Sequence, residues 1–136
     1  MIILTNSSES IFLTSSSTSR LEMTCSYTTY GVASTELSKV FTNTGSLLLI
    51  TGSVNPLYVN EIYILNTGLT NNTVQFFKQT NSGVITLTPP VILFPGYSLL
   101  FNNDEWKKFN EQQEFVTSGN PGPTGYTGYT GPSGGP

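Results

Sequence analysis

The sequence predicts an all-β fold, an antiparallel and jelly-roll-like β-sandwich, followed by a short segment of a different kind. Ahead of residue 119, short runs of β-branched, aromatic and aliphatic residues alternate with clusters of Asn, Gly, Pro and Ser, which favour turns. These runs recur about every ten residues, a spacing that is typical of sandwiches and leaves no room for the helical crossovers of a parallel sheet. From Gly119 onward, glycine occupies every third position.

Ten strands are predicted in the first part of the chain. They are Ile2–Leu4, Ile11–Leu13, Leu21–Tyr27, Thr35–Phe41, Leu47–Ile50, Tyr58–Leu65, Val74–Lys78, Val84–Leu87, Tyr97–Phe101 and Trp106–Phe109. Residues 110–116 are predicted to be an extended connector, in preference to a short helix that begins at Asp104. In the serine-rich first twenty residues we expect an ordered edge strand between loops. The alternative is an N-terminal arm that docks on another protein.

Two of these strands allow a prediction about their faces. Alternation along the sixth strand assigns Tyr58, Ile62 and Ile64 to one face and Val59 and Tyr63 to the other. Glu61 shares the second face, so we expect that face to meet solvent or a partner subunit. The run 47–50 is apolar on both faces. It is therefore predicted to be either central in the sandwich or covered by a neighbouring chain.

The regular glycines predict a collagen-like triple helix. They are Gly119, Gly122, Gly125, Gly128, Gly131 and Gly134. Three polyproline-II chains pack around one axis in such a helix, and only a residue without a Cβ fits there. A flexible linker, the alternative interpretation, scatters its glycines. The repeat predicts a homotrimer with two parts, a base and trimerisation domain over 1–118 and a collagen-like segment over 119–136.

Two further expectations follow from the side chains and from the length of the collagen-like segment. Tyr126 and Tyr129 fall at outward positions of the repeat and are candidate exposed aromatics of a shaft. Six triplets at about 3.1 Å per residue span roughly 55 Å. We do not expect so short a rod to hold three chains together alone, and we expect the preceding domain to trimerise as well.

Composition and charge argue against several functions. The net charge is −3 and the five Lys and Arg residues are scattered, which does not fit a nucleic-acid-binding surface. No run approaches the ~20 apolar residues of a membrane span, and the first residues lack the features of a signal peptide. We therefore expect synthesis in the cytoplasm, with no nucleic-acid or membrane partner. The single cysteine, Cys25, sits in a strand-like alternation and is expected to be a small buried hydrophobe rather than a reactive thiol.

The residue types needed for common catalytic sites are scarce. The chain has no histidine, which removes His-based triads and the usual proton shuttle near neutral pH. The acidic pairs Asp104/Glu105 and Glu111/Glu114 lie in a polar stretch and are expected to be solvated. We expect a protein that is not an enzyme and that uses no metal or cofactor. The alternative is a hydrolase whose two carboxylates come from distant strands.

Aromatic residues provide a binding hypothesis. The candidates for a carbohydrate platform are Tyr27, Tyr30, Tyr58, Tyr63, Phe76, Phe77, Tyr97, Phe101 and Trp106. Single aromatics at strand spacing are more often core or subunit-interface residues, and that is the role we expect for them. A carbohydrate-binding module with a flexible tail is the alternative reading of the whole chain.

Three groups of residues carry a resemblance to a known class of proteins. They are Ile62–Gly68 followed by Thr73–Phe77, a Leu-x-Pro strand around 84–90, and Phe94–Phe101 followed by Trp106–Phe109. With these groups, residues 58–109 resemble small β-sandwich domains of bacteriophage virion proteins. In those proteins the domain is often followed by Gly-x-Thr triplets, like those that begin at Gly122, Gly125 and Gly128 here.

The resemblance implies a structural function in a virus particle. It implies a capsid head fibre, a decoration protein or a tail-fibre component, assembled in the host cytoplasm and located in the virion. The implied partners are two further copies of the chain, other virion proteins of the capsid, neck or tail, and glycans of the host surface.

Overall fold

A computed structural model describes residues 1–29 and 33–116 of the 136-residue chain. The predicted collagen-like segment, with its six glycines, Tyr126 and Tyr129, lies outside the described residues, and so does Tyr30. Within them, the chain forms twelve β-strands and no helix, which confirms the all-β prediction. The strands are β1 (Ile2–Leu4), β2 (Ser10–Ser15), β3 (Leu21–Thr29), β4 (Thr35–Phe41), β5 (Gly45–Thr51), β6 (Leu57–Asn66), β7 (Asn72–Thr80), β8 (Gly83–Thr86), β9 (Val91–Leu93), β10 (Ser98–Asn102), β11 (Glu105–Phe109) and β12 (Phe115–Val116).

The strands form two antiparallel sheets. The large sheet has the order β12-β11-β10-β6-β3-β4, and β1 also pairs with β6. The small sheet has the order β5-β2-β7-β8, and β9 also pairs with β7. Residues from both sheets belong to one hydrophobic core, so the arrangement is consistent with the predicted β-sandwich.

Alternation along the strands builds the core between the sheets. In β2, Ile11 and Leu13 are fully buried while Phe12 between them is half-buried on the other face. In β3, Leu21 and Cys25 are likewise fully buried. Fully burying a large aliphatic or aromatic side chain contributes about 1.5–3 kcal/mol, so this inward-facing set supplies most of the driving force for folding.

An aromatic stack joins the two sheets near the β11 side. Trp106 of β11 lies between Phe76 of β7 and Phe101 of β10, with ring centroids 4.9 Å apart in both pairs. Phe76 and Phe101 are buried. These three aromatics are therefore core residues, as expected.

Two lysines form hydrogen bonds between strands of opposite sheets. Lys39 Nζ of β4 donates to the carbonyl oxygen of Leu48 in β5 at 3.2 Å. Lys78 Nζ of β7 donates to the carbonyl oxygen of Ile3 in β1 at 2.8 Å. The long lysine stems cover apolar surface while their ammonium groups satisfy backbone acceptors.

Buried asparagines organise one end of the sandwich. The Oδ1 of Asn72 accepts from Ser15 Oγ and from the Ser16 amide, both at 3.0 Å. Its Nδ2 donates to the carbonyl oxygens of Ser17 at 3.3 Å and Ser19 at 3.2 Å. Asn66, equally buried, bonds in the same way to four groups: the carbonyls of Leu93 and Thr70, Ser19 Oγ and the Gly68 amide. All four hydrogen-bonding sites of each amide are therefore used.

A bulge in β6 overturns part of the predicted face assignment. The pairing of β6 with β3 skips Asn60, so the alternation shifts by one residue there. Val59 is consequently fully buried and Tyr58 is half-exposed, the reverse of the prediction. Beyond the bulge the prediction is confirmed, because Glu61 is exposed and Tyr63 is half-exposed.

The position of β5 excludes one of the two predicted alternatives for residues 47–50. The strand lies at an edge of the small sheet, so a central position is wrong. A bulge in its pairing with β2 lets Leu49 and Ile50 both point into the core, whereas Leu48 is 50% exposed. The other alternative, cover by a neighbouring chain, stays a prediction.

The remaining differences concern strand positions. β2 is ordered as predicted, but it lies between β5 and β7 and is not an edge strand. Because Ile11 and Leu13 are fully buried, it is not a docking arm either. The ten predicted strands all overlap observed ones, and two short strands, β9 and β12, were not predicted. β12 falls in the segment that was predicted to be only an extended connector.

Candidate functional site

The outward-facing side of the large sheet carries a continuous cross-strand row. Pairing register aligns one residue from each of its six successive strands: Val40, Glu22, Leu65, Ser98, Phe109 and Phe115. Side chains that are aligned in this way lie within contact distance across neighbouring strands. The row is mostly apolar; Val40 and Phe115 at its two ends are exposed, whereas Ser98 in its middle is fully buried. We consider the exposed part of this face a candidate interaction surface.

The β12 end of this row is an exposed aromatic pair. The rings of Phe109 and Phe115 are 6.1 Å apart between centroids, at an interplanar angle of 59°. Phe115 is 58% exposed, and Phe109 is half-buried. We call these two rings the Phe109–Phe115 patch. A phenylalanine that stays largely in water does not contribute the free energy that its burial would give. Exposed apolar patches of this kind often mark interaction sites, where a partner buries them.

The turn before β12 holds this patch in place. Asn110 Oδ1 accepts from the amides of Gln112 at 3.0 Å and Glu114 at 2.9 Å, and its Nδ2 donates to Glu114 Oε1 at 2.9 Å. On the outside of the turn, Glu111 packs against Gly96, where a Cβ would lie 2.7 Å from the Glu111 Cβ. Gly96 also has a φ of 86°, which favours glycine. Phe115 is therefore exposed on a well-defined strand.

The β4 end of the same face is more polar. A shallow hollow of about 340 Å³ lies there, lined among others by Arg20, Glu22, Tyr63 and Val40. Arg20 and Glu22 form an ion pair at 2.7 Å. Surface ion pairs of this kind contribute about 0–1 kcal/mol, and the hollow has no buried charge that would mark a catalytic pocket.

The outward face of the small sheet has a different character. Phe12 of β2 and Phe77 of β7 stack with centroids 5.1 Å apart and an interplanar angle of 17°. Register places Leu48 of β5 beside Phe12 in the same row. The neighbouring outward residues on β2 and β7 are uncharged: Ser10, Thr14, Gln75 and Gln79. This second candidate surface is thus aromatic and amide-rich without charge.

Several titratable groups are shifted by their surroundings. Burial raises the pKa of the Cys25 thiol to about 12, which fits the buried and unreactive role expected for it. Burial also lowers the pKa of Lys108, whose Nζ lies 5.5 Å from the ring centroids of both Phe94 and Tyr97. The amide and hydroxyl of Thr5 donate to Glu9 and lower its pKa.

The acidic residues of the two predicted pairs make separate structural contacts. Asp104 pairs with the N-terminal ammonium group, and Glu105 lies 3.6 Å from Lys107 Nζ. Glu111 packs on Gly96, and Glu114 bonds to Asn110 as described above. Over residues 1–29 and 33–116, no group of three or more His, Cys, Asp and Glu residues could hold a metal ion.

Most of the aromatic residues that were candidates for a carbohydrate platform lie in the core or pack against it. Phe76, Phe101 and Trp106 form the stack in the core, and Tyr27 and Tyr97 pack against the core from its margin. Tyr58, Tyr63 and Phe77 are half-exposed.

The Phe109–Phe115 patch was not predicted from the sequence, because a lone phenylalanine in a polar stretch carries no periodic signal. Its closeness to the glycine repeat is the one clue that the sequence offers.

Comparison with protein-family models, with curated proteins and with solved structures finds no match for this chain. In the described part of the chain, no helix is long and apolar enough to cross a membrane.

Proposed function

We propose that this protein is a trimeric structural fibre or decoration protein of a virion. In this proposal a jelly-roll-like sandwich forms the base, and residues 119–136 form a collagen-like shaft that projects from the particle surface. The base attaches to other virion proteins of the capsid, neck or tail, and the shaft reaches toward glycans of the host surface. The observation that carries the proposal is the unbroken glycine period directly after the β-domain.

The organisation of the β-domain supports a structural role. Its last described strand, β12, is hydrogen-bonded to β11 and ends at Val116, and two residues, Thr117 and Ser118, separate it from Gly119. A load on the shaft would therefore be transmitted to a strand in the large sheet. A virion location is supported by the resemblance of residues 58–109 to phage β-sandwich domains.

The first prediction concerns the oligomeric state of the full chain. Sedimentation equilibrium in the cold at tens of micromolar should give a mass three times the 14.7 kDa of one chain. The double substitution Gly125→Ala and Gly128→Ala should weaken the trimer and lower the temperature of its first melting transition in circular dichroism. Two methyl groups per chain would then have to fit at a crowded axis, where a single substitution already disrupts the helix.

A substitution in the same segment provides the matched control. Thr127→Ala changes a position between the two glycines that the repeat leaves facing outward, so it should leave mass and melting nearly unchanged. A wild-type chain that is monomeric at these concentrations, or equal effects of the glycine and threonine substitutions, would contradict the proposal.

One observation favours a second candidate function, a carbohydrate-binding module. The stacked Phe12 and Phe77 lie on an uncharged face beside Gln75 and Gln79, and aromatic rings with amide neighbours are suited to sugar rings. A glycan array with the full chain and with Phe77→Ser distinguishes the two functions. Strong binding that Phe77→Ser abolishes, in a chain that remains monomeric, would favour the module.

A further inference from the structure

The glycine repeat and the position of β12 together restrict where a threefold axis can lie. Thr117 and Ser118 separate Val116 from Gly119, so the distance between Val116 and Gly119 is at most about 10 Å, whatever the path of the chain. In a collagen-like helix three strands share one narrow axis. If the shaft forms, the three Val116 residues must therefore lie within about 15 Å of that axis.

The order of strands then shows which exposed surfaces lie near the start of the shaft and which lie far from it. β12 is at one edge of the large sheet, and β4 is five strands away at the other edge. At about 4.8 Å per strand, Val40 lies roughly 24 Å from Phe115. Leu48 is on the β4 side as well, because the carbonyl of Leu48 accepts the hydrogen bond of Lys39. Among these three exposed apolar side chains, Phe115 is the one directly beside Val116, the residue whose distance from the axis the shaft limits.

We infer that the Phe109–Phe115 patch is the contact between copies of this chain in the trimer, an inference that rests on the proposed function. Phe115 is 58% exposed on a strand whose position Asn110 and its turn define. Threefold symmetry around a nearby axis brings three such patches together and removes their rings from water. On the same face of β11, the ammonium group of Lys107 lies 3.6 Å from a carboxylate oxygen of Glu105. This ion pair leaves no net charge from Lys107 to repel a second copy of the patch.

The test compares three charge substitutions in the full chain. Phe115→Asp should raise the concentration at which half the trimer dissociates by at least tenfold in sedimentation velocity. Val40→Asp is the matched control, since Val40 is 52% exposed and lies in the same row at the far edge. Leu48→Asp controls for the outer face of the small sheet. Both controls should stay within twofold of wild type.

A second measurement keeps the inference testable if Phe115→Asp fails to fold. Phe115→Cys in a Cys25→Ala background should form disulfide-linked dimers inside the trimer under mild oxidation. Val40→Cys in the same background should not, because the far edges of three copies remain apart. The near-ultraviolet circular dichroism of Trp106 reports whether each variant is folded.

The outcomes separate this inference from the proposed function. A wild-type trimer that Phe115→Asp leaves intact, while Val40→Asp or Leu48→Asp dissociates it, overturns the placement of the contact and leaves the trimeric fibre standing. A wild-type chain that is monomeric at all concentrations overturns both. A trimer that only the Phe115 substitutions weaken supports both.

Discussion

At the scale of single residues, buried amides rather than apolar contacts define one end of the sandwich. Asn72 is fully buried and has four hydrogen bonds to the serine-rich segment 15–19. A buried polar group that loses its partners costs about 1–3 kcal/mol, so a fully satisfied amide fixes the path of that segment. The Asn72 side chain of β7 is thus a main contact that orders these serines, together with Asn66 at Ser19 and the backbone of residues 71 and 73.

Replacement of this amide should be costly. Asn72→Ala removes four hydrogen bonds at a fully buried position, so the free energy of unfolding should fall by about 2–4 kcal/mol, even though Ser15 Oγ and the Ser16 amide keep second partners in the carbonyls of Ser17 and Thr73. Urea denaturation followed by tryptophan fluorescence measures it. Asn71→Ala is the matched control, because Asn71 is the adjacent residue and its side chain is exposed. A loss below 1 kcal/mol for Asn72→Ala would contradict this account.

The Cys25 thiol links stability to alkaline pH. Its pKa is raised to about 12 in the folded protein, whereas an exposed thiol in the unfolded chain has a pKa of about 8.5. The folded state therefore keeps its proton between these values while the unfolded state loses it. The stabilisation is complete below pH 8.5 and is lost as the pH rises toward 12, by about 2 kcal/mol at pH 10.

A thiol-free variant isolates this contribution from every other effect of alkaline pH on the protein. The free energy of unfolding of wild type should fall more steeply between pH 8 and 10 than that of Cys25→Ala, by about 2 kcal/mol in total. Urea titrations at a series of pH values measure both slopes. Parallel slopes for the two proteins would show that the thiol is not protected by burial.

At the scale of elements, the bulge in β6 decides which side chains of that strand enter the core. Asn60 is the extra residue, and it turns Val59 inward and Tyr58 outward. In the sequence the apolar positions Leu57 and Val59 change phase to Ile62 and Ile64 across two adjacent polar residues, so extending a single period of two over this segment gives the wrong faces for Tyr58 and Val59. Whether such a change of phase is a bulge depends on the partner strand, and the pairing with β3 was needed to establish it.

A pair of substitutions tests this register. Val59→Asn places an amide at a fully buried position and should reduce the free energy of unfolding by about 3 kcal/mol or more. Tyr58→Asn, at the adjacent half-exposed position, should cost no more than about 1 kcal/mol. Chemical denaturation of both variants gives the comparison. The reverse order of costs is what the uninterrupted alternation predicts, and it would show that the bulge is absent.

The strands themselves were well predicted, because their signals are local. Turn residues such as Gly96, and the Asn103–Asp104 pair with its positive φ angles, mark the ends of strands directly in the sequence. β9 follows two prolines and has three residues, and β12 has two, so neither has enough length to show a period. The candidate patch at β12 was missed for the same reason.

At the scale of the whole molecule, the sequence predicts the class of fold but not the order of strands. β2 pairs with β7 and β3 with β6, and such partners are chosen by the packing of a core that forms only when all strands are present. The outward faces follow from that order, so the two candidate surfaces needed the structure. The expectation of three chains needed no structure, because the spacing of glycine is itself a local property.

Because β1 pairs with β6, β1 cannot join the large sheet until β6 has been synthesised. Ile2 leaves the ribosome well before its partner Val59, and β10 and β11 complete the same sheet later still. Such long-range pairing makes folding slow compared with helical proteins of similar size. The nascent N-terminal segment, with its apolar Ile2, Ile3 and Leu4, must therefore stay unpaired during much of translation. We expect this interval to be the one in which the chain depends most on chaperones.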